Sequence, residues 1–194
     1  MGVCQLLTGG IAFDCNNQLV GGVKDRITLL NIEDILSVTK DLSNPLIITD
    51  INKKPTKVGY VFEGQRSSID AQTDFVKARY SVGYYHQLTF RVFGNSAAVK
   101  KTIEELARGS VVAFLENNFR GEGGNASFEI FGLEVGLQVE SLGSNKSDAE
   151  TGGAYVITLK TPDDFKEPHL PATIFLTDYT TSLGIYNQLL IADV

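Results

Sequence analysis

The sequence predicts a mainly β fold, a β-sandwich or small barrel with one flanking α-helix, and three observations carry that prediction. The dominant apolar period is two: Val58, Tyr60 and Phe62 alternate with polar or small neighbours, as do Leu88, Phe90 and Val92. Only one segment, about residues 96–108, has sustained helical spacing. Glycine- and asparagine-rich stretches recur between the runs and read as turns. The 194 residues, 43% of them hydrophobic, fit a single domain able to bury a core. No apolar run approaches the roughly 18–20 residues of a membrane helix.

Taken in order, Ile32–Lys40 after an Asn31 cap reads as a short helix, and Pro45–Asp50 as a strand. The stretch 41–57, with Asn44-Pro45 and Lys53-Lys54-Pro55, reads as an extended basic loop around it. Residues 75–84 alternate without a break, Val76, Ala78, Tyr80, Val82 and Tyr84 on one face, and read as one strand. The helix starts at Asn95 or Ser96, presents Val99, Ile103, Leu106 and Ala107 on one side, and stops at Gly109. Ser110–Glu116, Tyr155–Lys160 and Ala172–Asp178 are strands. The continuous apolar run Val111–Leu115 implies burial on both faces. Gly121–Gly124 and Gly143–Gly153 are loops, and Ser182–Leu190 is a short helix in a C-terminal extension, 163–194.

The segment Ser127–Ser141 changes phase. Phe128 and Ile130 are apolar at even positions, whereas Leu133, Val135, Leu137 and Val139 are apolar at odd ones. A shift at Phe131-Gly132 is what a bulge, or a bend between sheets, produces. The other face of the second half reads Glu134, Gly136, Gln138, Glu140, acidic and small.

The chemistry-bearing residues do not assemble into a catalytic set. His86 and His169 have no nucleophile at a motif spacing, and Gly121–Gly124 lacks the Lys-Ser/Thr of a phosphate loop. Cys4 and Cys15 have no second pair and no nearby His, so zinc has no ligand set; free thiols or one local disulfide both fit. Ser144, Asn145, Asp148 and Glu150 have the oxygen donors of a calcium loop, or of a solvated turn. Met1–Phe13 lacks the basic start of a secretory signal, which implies synthesis in the cytoplasm. No cofactor is expected, and no enzymatic activity. Charge adds direction: residues 1–95 carry ten Lys and Arg against nine Asp and Glu, whereas residues 96–194 carry seven against fourteen. A chain of net charge −6 is poorly suited to sequence-specific DNA binding. What remains is binding or assembly.

The order of elements in residues 85–162 carries a resemblance. A strand ending at Phe93-Gly94 is followed by the helix Asn95–Gly109, the strand Val111–Leu115 and a glycine loop. A long strand to Leu142, a polar loop and the strand Tyr155–Lys160 complete it. This resembles the tail tube (major tail) proteins of tailed bacteriophages. The whole chain also looks like virion proteins of phages of Bacteroidota hosts, through Phe13-Asp14-Cys15 and Leu170–Phe175. The resemblance implies a β-sandwich or barrel subunit that joins its sheets edge to edge in hexameric rings. The rings stack into a tube through which DNA passes without sequence-specific binding. It implies a virion location, contacts with itself and other tail proteins, and no membrane partner. A tail terminator, a head–tail ring protein, a capsid accessory protein and a non-catalytic binding β-sandwich are the alternatives.

Three expectations follow. Val111–Leu115 and Tyr155–Lys160 would be the pairing edges. Lys53 and Lys54 would carry inter-ring contacts. Glu134, Gln138 and Glu140 would face the lumen as a carboxylate wall that repels phosphate.

Overall fold

A computed structural model describes residues 7, 9–15, 18–65, 67–77 and 81–192, and places the strands in two facing sheets, neither closed into a barrel. The strands are β1 (Val23–Asn31), β2 (Ile35–Lys40), β3 (Ile47–Lys53), β4 (Tyr60–Glu63), β5 (Ile69–Lys77), β6 (Val82–Val92), β7 (Val111–Asn117), β8 (Phe128–Phe131), β9 (Gln138–Ser144), β10 (Tyr155–Lys160) and β11 (Ala172–Ile174). The helices are α1 (Ala97–Leu106) and α2 (Tyr179–Gln188). One sheet runs β2-β3-β11-β8-β7-β1-β4, antiparallel except for β11 beside β3; the other runs β5-β6-β10-β9, antiparallel throughout.

Side-chain parity explains the layering. One face of the seven-stranded sheet, with Ile27, Leu29, Ala113, Leu115 and Phe131, packs against Ile69, Leu88, Phe90, Ile157 and Leu159 of the four-stranded sheet. Its other face, with Leu30, Ile48, Val112, Phe114 and Ile130, packs beneath Ile185, Tyr186 and Leu189 at α2. β7 is therefore buried on both sides, as its unbroken apolar run implies. Helix α1 adds Ile103 and Leu106 to the inter-sheet core. The Ser96 hydroxyl accepts from the Val99 N–H at 3.3 Å, the cap that its position implies. Ser96→Ala is expected to cost about 1 kcal/mol, read as a melting temperature lower by about 2–4 °C.

Several elements differ from expectation, each for a local reason. Ile32–Lys40 is not a helix: a single 3-10 turn, Ile32–Asp34, leads into β2. Pairing with β3 gives Ile35, Val38 and Thr39 backbone partners along a ladder, which outweighs about two and a half turns of isolated helix, too short to be stable by itself. The run 75–84 is not one strand but the closing part of the β5–β6 hairpin, with Lys77 opposite Val82. Residues 78–80 lie outside the described residues. The reversal swaps parity, so Phe75 and Tyr84, assigned to opposite faces by alternation, sit edge to face with ring centroids 5.7 Å apart. The stretch 41–57 is not an extended loop, because β3 occupies its middle. Residues 163–194 are not an appended extension: β11 lies inside the larger sheet and α2 covers that sheet's outer face. The strand Ala172–Asp178 ends at Ile174, where the chain turns to the Asp178 cap of α2.

The phase change at Phe131-Gly132 marks a passage between the sheets. β8 belongs to the larger sheet and β9 to the smaller. The connection is a turn of five residues, Gly132–Gly136, with left-handed glycines at both ends (φ +74° and +85°). Leu137 then bridges to Val111 before β9 begins.

Candidate functional site: an open antiparallel sheet and its edges

A strand inside a sheet spends its backbone donors and acceptors on both neighbours, whereas an edge strand leaves one side free. The expected edges are interior. β7 lies between β1 and β8, and β10 lies between β6 and β9. The edges of the four-stranded sheet are β5, paired only with β6, and β9, paired only with β10. Among the described residues no other backbone bond covers the outer side of β5 or β9.

The sheet has a dry face and a wet face. Register sends Ile69, Leu88, Phe90, Ile157 and Leu159 inward. The opposite face carries Asp70, Gln72 and Asp74 of β5, then Gln87, Thr89 and Arg91 of β6, then Thr158 and Lys160 of β10. The Thr89 and Thr158 hydroxyls meet across the ladder at 3.1 Å. Gln138 stands opposite Lys160, and Glu140, at a register shift in β9, lies 3.7 Å from the Lys160 ammonium.

That geometry corrects the expected carboxylate wall. Gln138 and Glu140 share the outer face, but Glu134 does not belong to it. It lies in the Gly132–Gly136 turn and pairs with Lys40 of β2 at 2.6 Å. Gly136, expected on the wet face, is buried. Four carboxylates, Asp70, Asp74, Glu140 and the Asp163 that pairs with Lys160 at 2.7 Å, share the outer face with Arg91 and Lys160, beside Tyr85 and Val156, so the surface is mostly polar and mildly acidic.

The turn that delivers the chain to β9 is held by two buried titratable groups that sequence reasoning did not join. His86 on β6 is 2% exposed; its Nδ1 accepts from the Gly132 N–H at 3.0 Å. Its Nε2–H therefore donates to the His169 carbonyl at 3.1 Å, which sets the neutral tautomer. Burial lowers its pKa to about 4. Glu167, also 2% exposed, accepts the N–H of Val135 at 2.9 Å and of Glu134 at 3.3 Å. Burial raises its carboxyl above the ordinary range, against those amides. An isolated His and Glu 81 positions apart carry no motif, so only the three-dimensional contact identifies them as one device.

The remaining candidates have structural assignments. Lys53 is 4% exposed, and its ammonium donates to the Ile191 carbonyl at 3.0 Å, so it ties β3 to the end of α2 rather than offering charge to a neighbouring ring. Lys54 is exposed, and the paired assignment to an inter-ring loop fails at Lys53. Lys53→Ala is expected to cost about 1–2 kcal/mol, because it removes a buried side chain and its hydrogen bond to the Ile191 carbonyl, while Lys54→Ala leaves the unfolding midpoint unchanged. Asp148 accepts from the Glu150 N–H and the Thr151 hydroxyl, both at 2.9 Å, which pulls its carboxyl below the usual range. Among the described residues no group of three His, Cys, Asp or Glu side chains converges on a metal position. Cys15 is exposed; Cys4 lies outside the described residues, and so does the question of their pairing. No described helix is long and apolar enough to cross a membrane.

No protein-family model, curated protein or solved structure matches the chain.

Proposed function

We propose that this protein is a structural subunit of a tailed phage virion, forming stacked hexameric rings that make the tail tube. The single observation that supports the reading most is the four-stranded sheet: antiparallel throughout, with neither edge paired among the described residues. In the order β5-β6-β10-β9 successive strands alternate in direction, so β5 and β9 run oppositely. Setting β9 of one copy beside β5 of the next extends an unbroken antiparallel sheet, and repetition around an axis closes it and removes every edge. Six copies make 24 strands. At the usual strand spacing and a tilt of 35–45°, such a barrel measures roughly 45–50 Å across at the backbone. That bore admits a DNA duplex.

The outer face of the sheet suits the inner wall of such a conduit. Hydroxyls, amides and a small excess of carboxylates give phosphate no basic track to hold. The element order that resembles tail tube proteins supports the tube over other ring-shaped virion parts.

Negative-stain microscopy of the purified protein tests the reading: rings or tubes are expected, and a monomer at all concentrations overturns it. A second measurement addresses the wall. Gln138→Lys with Glu140→Lys is expected to leave tubes intact and slow DNA ejection, most strongly at low salt, where added lysines bind phosphate best. Ejection at the wild-type rate would place this face elsewhere than on the conduit.

A further inference from the structure

The four-stranded sheet can be read in rows. Ile69, Phe90, Ile157 and Leu142 stand in one row across β5, β6, β10 and β9, with the parity of the dry face. Ala71, Leu88, Leu159 and Val139 stand in the next row of that face. β5 then runs on with the same parity through Thr73, Phe75 and Lys77 to the hairpin turn. Two large apolar side chains on the two edge strands are left largely uncovered on this face. Phe75 of β5 is 62% exposed beside Tyr84, and Leu142 of β9 is 43% exposed.

Closure of the sheet into a ring limits how β9 of one copy meets β5 of the next. Four strands at about 4.8 Å span roughly 19 Å, so a tilt of 35–45° slides each copy along its neighbour by roughly 13–19 Å, about four to six residues. Only an even slide keeps dry face beside dry face. The slide must run toward the end of β5. In the other direction even Gln138, which stands in the row of Gln72, is carried past Ile69, and no pairing remains. A slide of four moves Leu142 from the row of Ile69 to that of Thr73, and a slide of six moves it to that of Phe75.

We infer that copies of this chain join with the slide of six, setting Phe75 of one copy against Leu142 of the next and Lys77 against Val139. The inference rests on the ring reading above and names the side chains that fix its register. Chemistry separates the two slides. Beside Val139 is a polar cleft of about 540 Å³, lined by Glu33, Asp34, Lys57, Arg108 and Gln138. A slide of four sets Leu142 against the Thr73 hydroxyl and brings Phe75 to that cleft. A slide of six sets the two exposed apolar side chains together, and it is the Lys77 ammonium that enters the cleft. Lys57 already takes Asp34 at 3.6 Å. That leaves the exposed Glu33 carboxylate and the C-terminal carbonyls of α1, which favour a cation, against Arg108 alone.

Cross-linking in a Cys4→Ser, Cys15→Ser background reads the register. Within one copy three strand spacings, about 14 Å, separate β5 from β9, so a disulfide between them forms only between copies. Phe75→Cys with Leu142→Cys is expected to give, on oxidation, a ladder of covalent oligomers up to ring size, and Thr73→Cys with Leu142→Cys is expected to give none. A ladder from the Thr73 pair alone overturns the slide of six. Rings seen by microscopy with no ladder from either pair overturn the inference and leave the ring reading standing. A wild-type chain that forms no rings removes both. Charge exchange tests the cleft without touching Phe75. Lys77→Glu is expected to raise the concentration needed for rings about threefold or more, and adding Glu33→Lys to the same chain is expected to restore it. An unchanged threshold in Lys77→Glu, or no recovery in the double variant, overturns the placement of Lys77.

Discussion

Proline at an outward-facing amide of β5 is expected to abolish rings while leaving the fold intact. Successive N–H groups along a strand point to opposite edges, and β5 has a neighbour on one edge only. Of the adjacent pair Gln72→Pro and Thr73→Pro, one therefore removes a donor of the β5–β6 ladder and the other removes only a donor facing solvent. The first is expected to lose about 1–3 kcal/mol. The second keeps a melting temperature close to wild type, since proline is tolerated on an edge with its nitrogen outward. In a ring that position faces the neighbour's β9, so particle assembly stops. Ser141→Pro and Leu142→Pro apply the same logic to β9. Ala113→Pro in β7 is the contrast: both flanks are paired, so proline there breaks a ladder whichever way its amide points, and the chain is expected to unfold. Rings of wild-type size from the outward variants of both edges would end the edge-pairing account.

Acid is expected to weaken the fold through His86, and the sign follows from burial. Above about pH 6.5 His86 is neutral whether folded or unfolded and adds no pH dependence. Below that value the unfolded chain takes up a proton that the folded chain refuses until about pH 4. Stability present above pH 6.5 is thus lost on the way to pH 4, by about 3 kcal/mol. For a chain of this size that is a melting temperature lower by roughly 6–12 °C. Glu167 acts in the opposite sense: its folded carboxyl takes up a proton above the unfolded value of 4.5, which returns part of the loss. Lys40 and Glu134, paired at 2.6 Å beside the same turn, are half exposed and screened. His86→Gln can still accept from Gly132 or donate to His169, but it does not titrate. The variant is expected to flatten the pH dependence between 6.5 and 4. A wild-type profile in His86→Gln would assign the acid sensitivity elsewhere.

Side-chain periodicity alone determined a good deal. Tyr155–Lys160 is a strand with the bounds its alternation implies, and α1 lies within residues 96–108. The solid apolar run Val111–Leu115 announced burial on both faces, and the parity switch at Phe131-Gly132 announced a bulge or a bend between sheets, of which the structure has the second. These features are local, because alternation records which faces a residue's neighbours cover. What the tertiary structure decided is which strand lies next to which. Backbone ladders leave no mark on side-chain pattern, so nothing in Val111–Leu115 or Tyr155–Lys160 distinguishes a central strand from an edge. β5 and β9 became edges only when long-range packing set the order of the sheet. The same reason separates Lys53 from Lys54, Glu134 from Glu140, and unites His86 with Glu167. Charge and spacing made each pair look alike or unrelated, whereas burial against segments dozens of residues away assigned each side chain its partner.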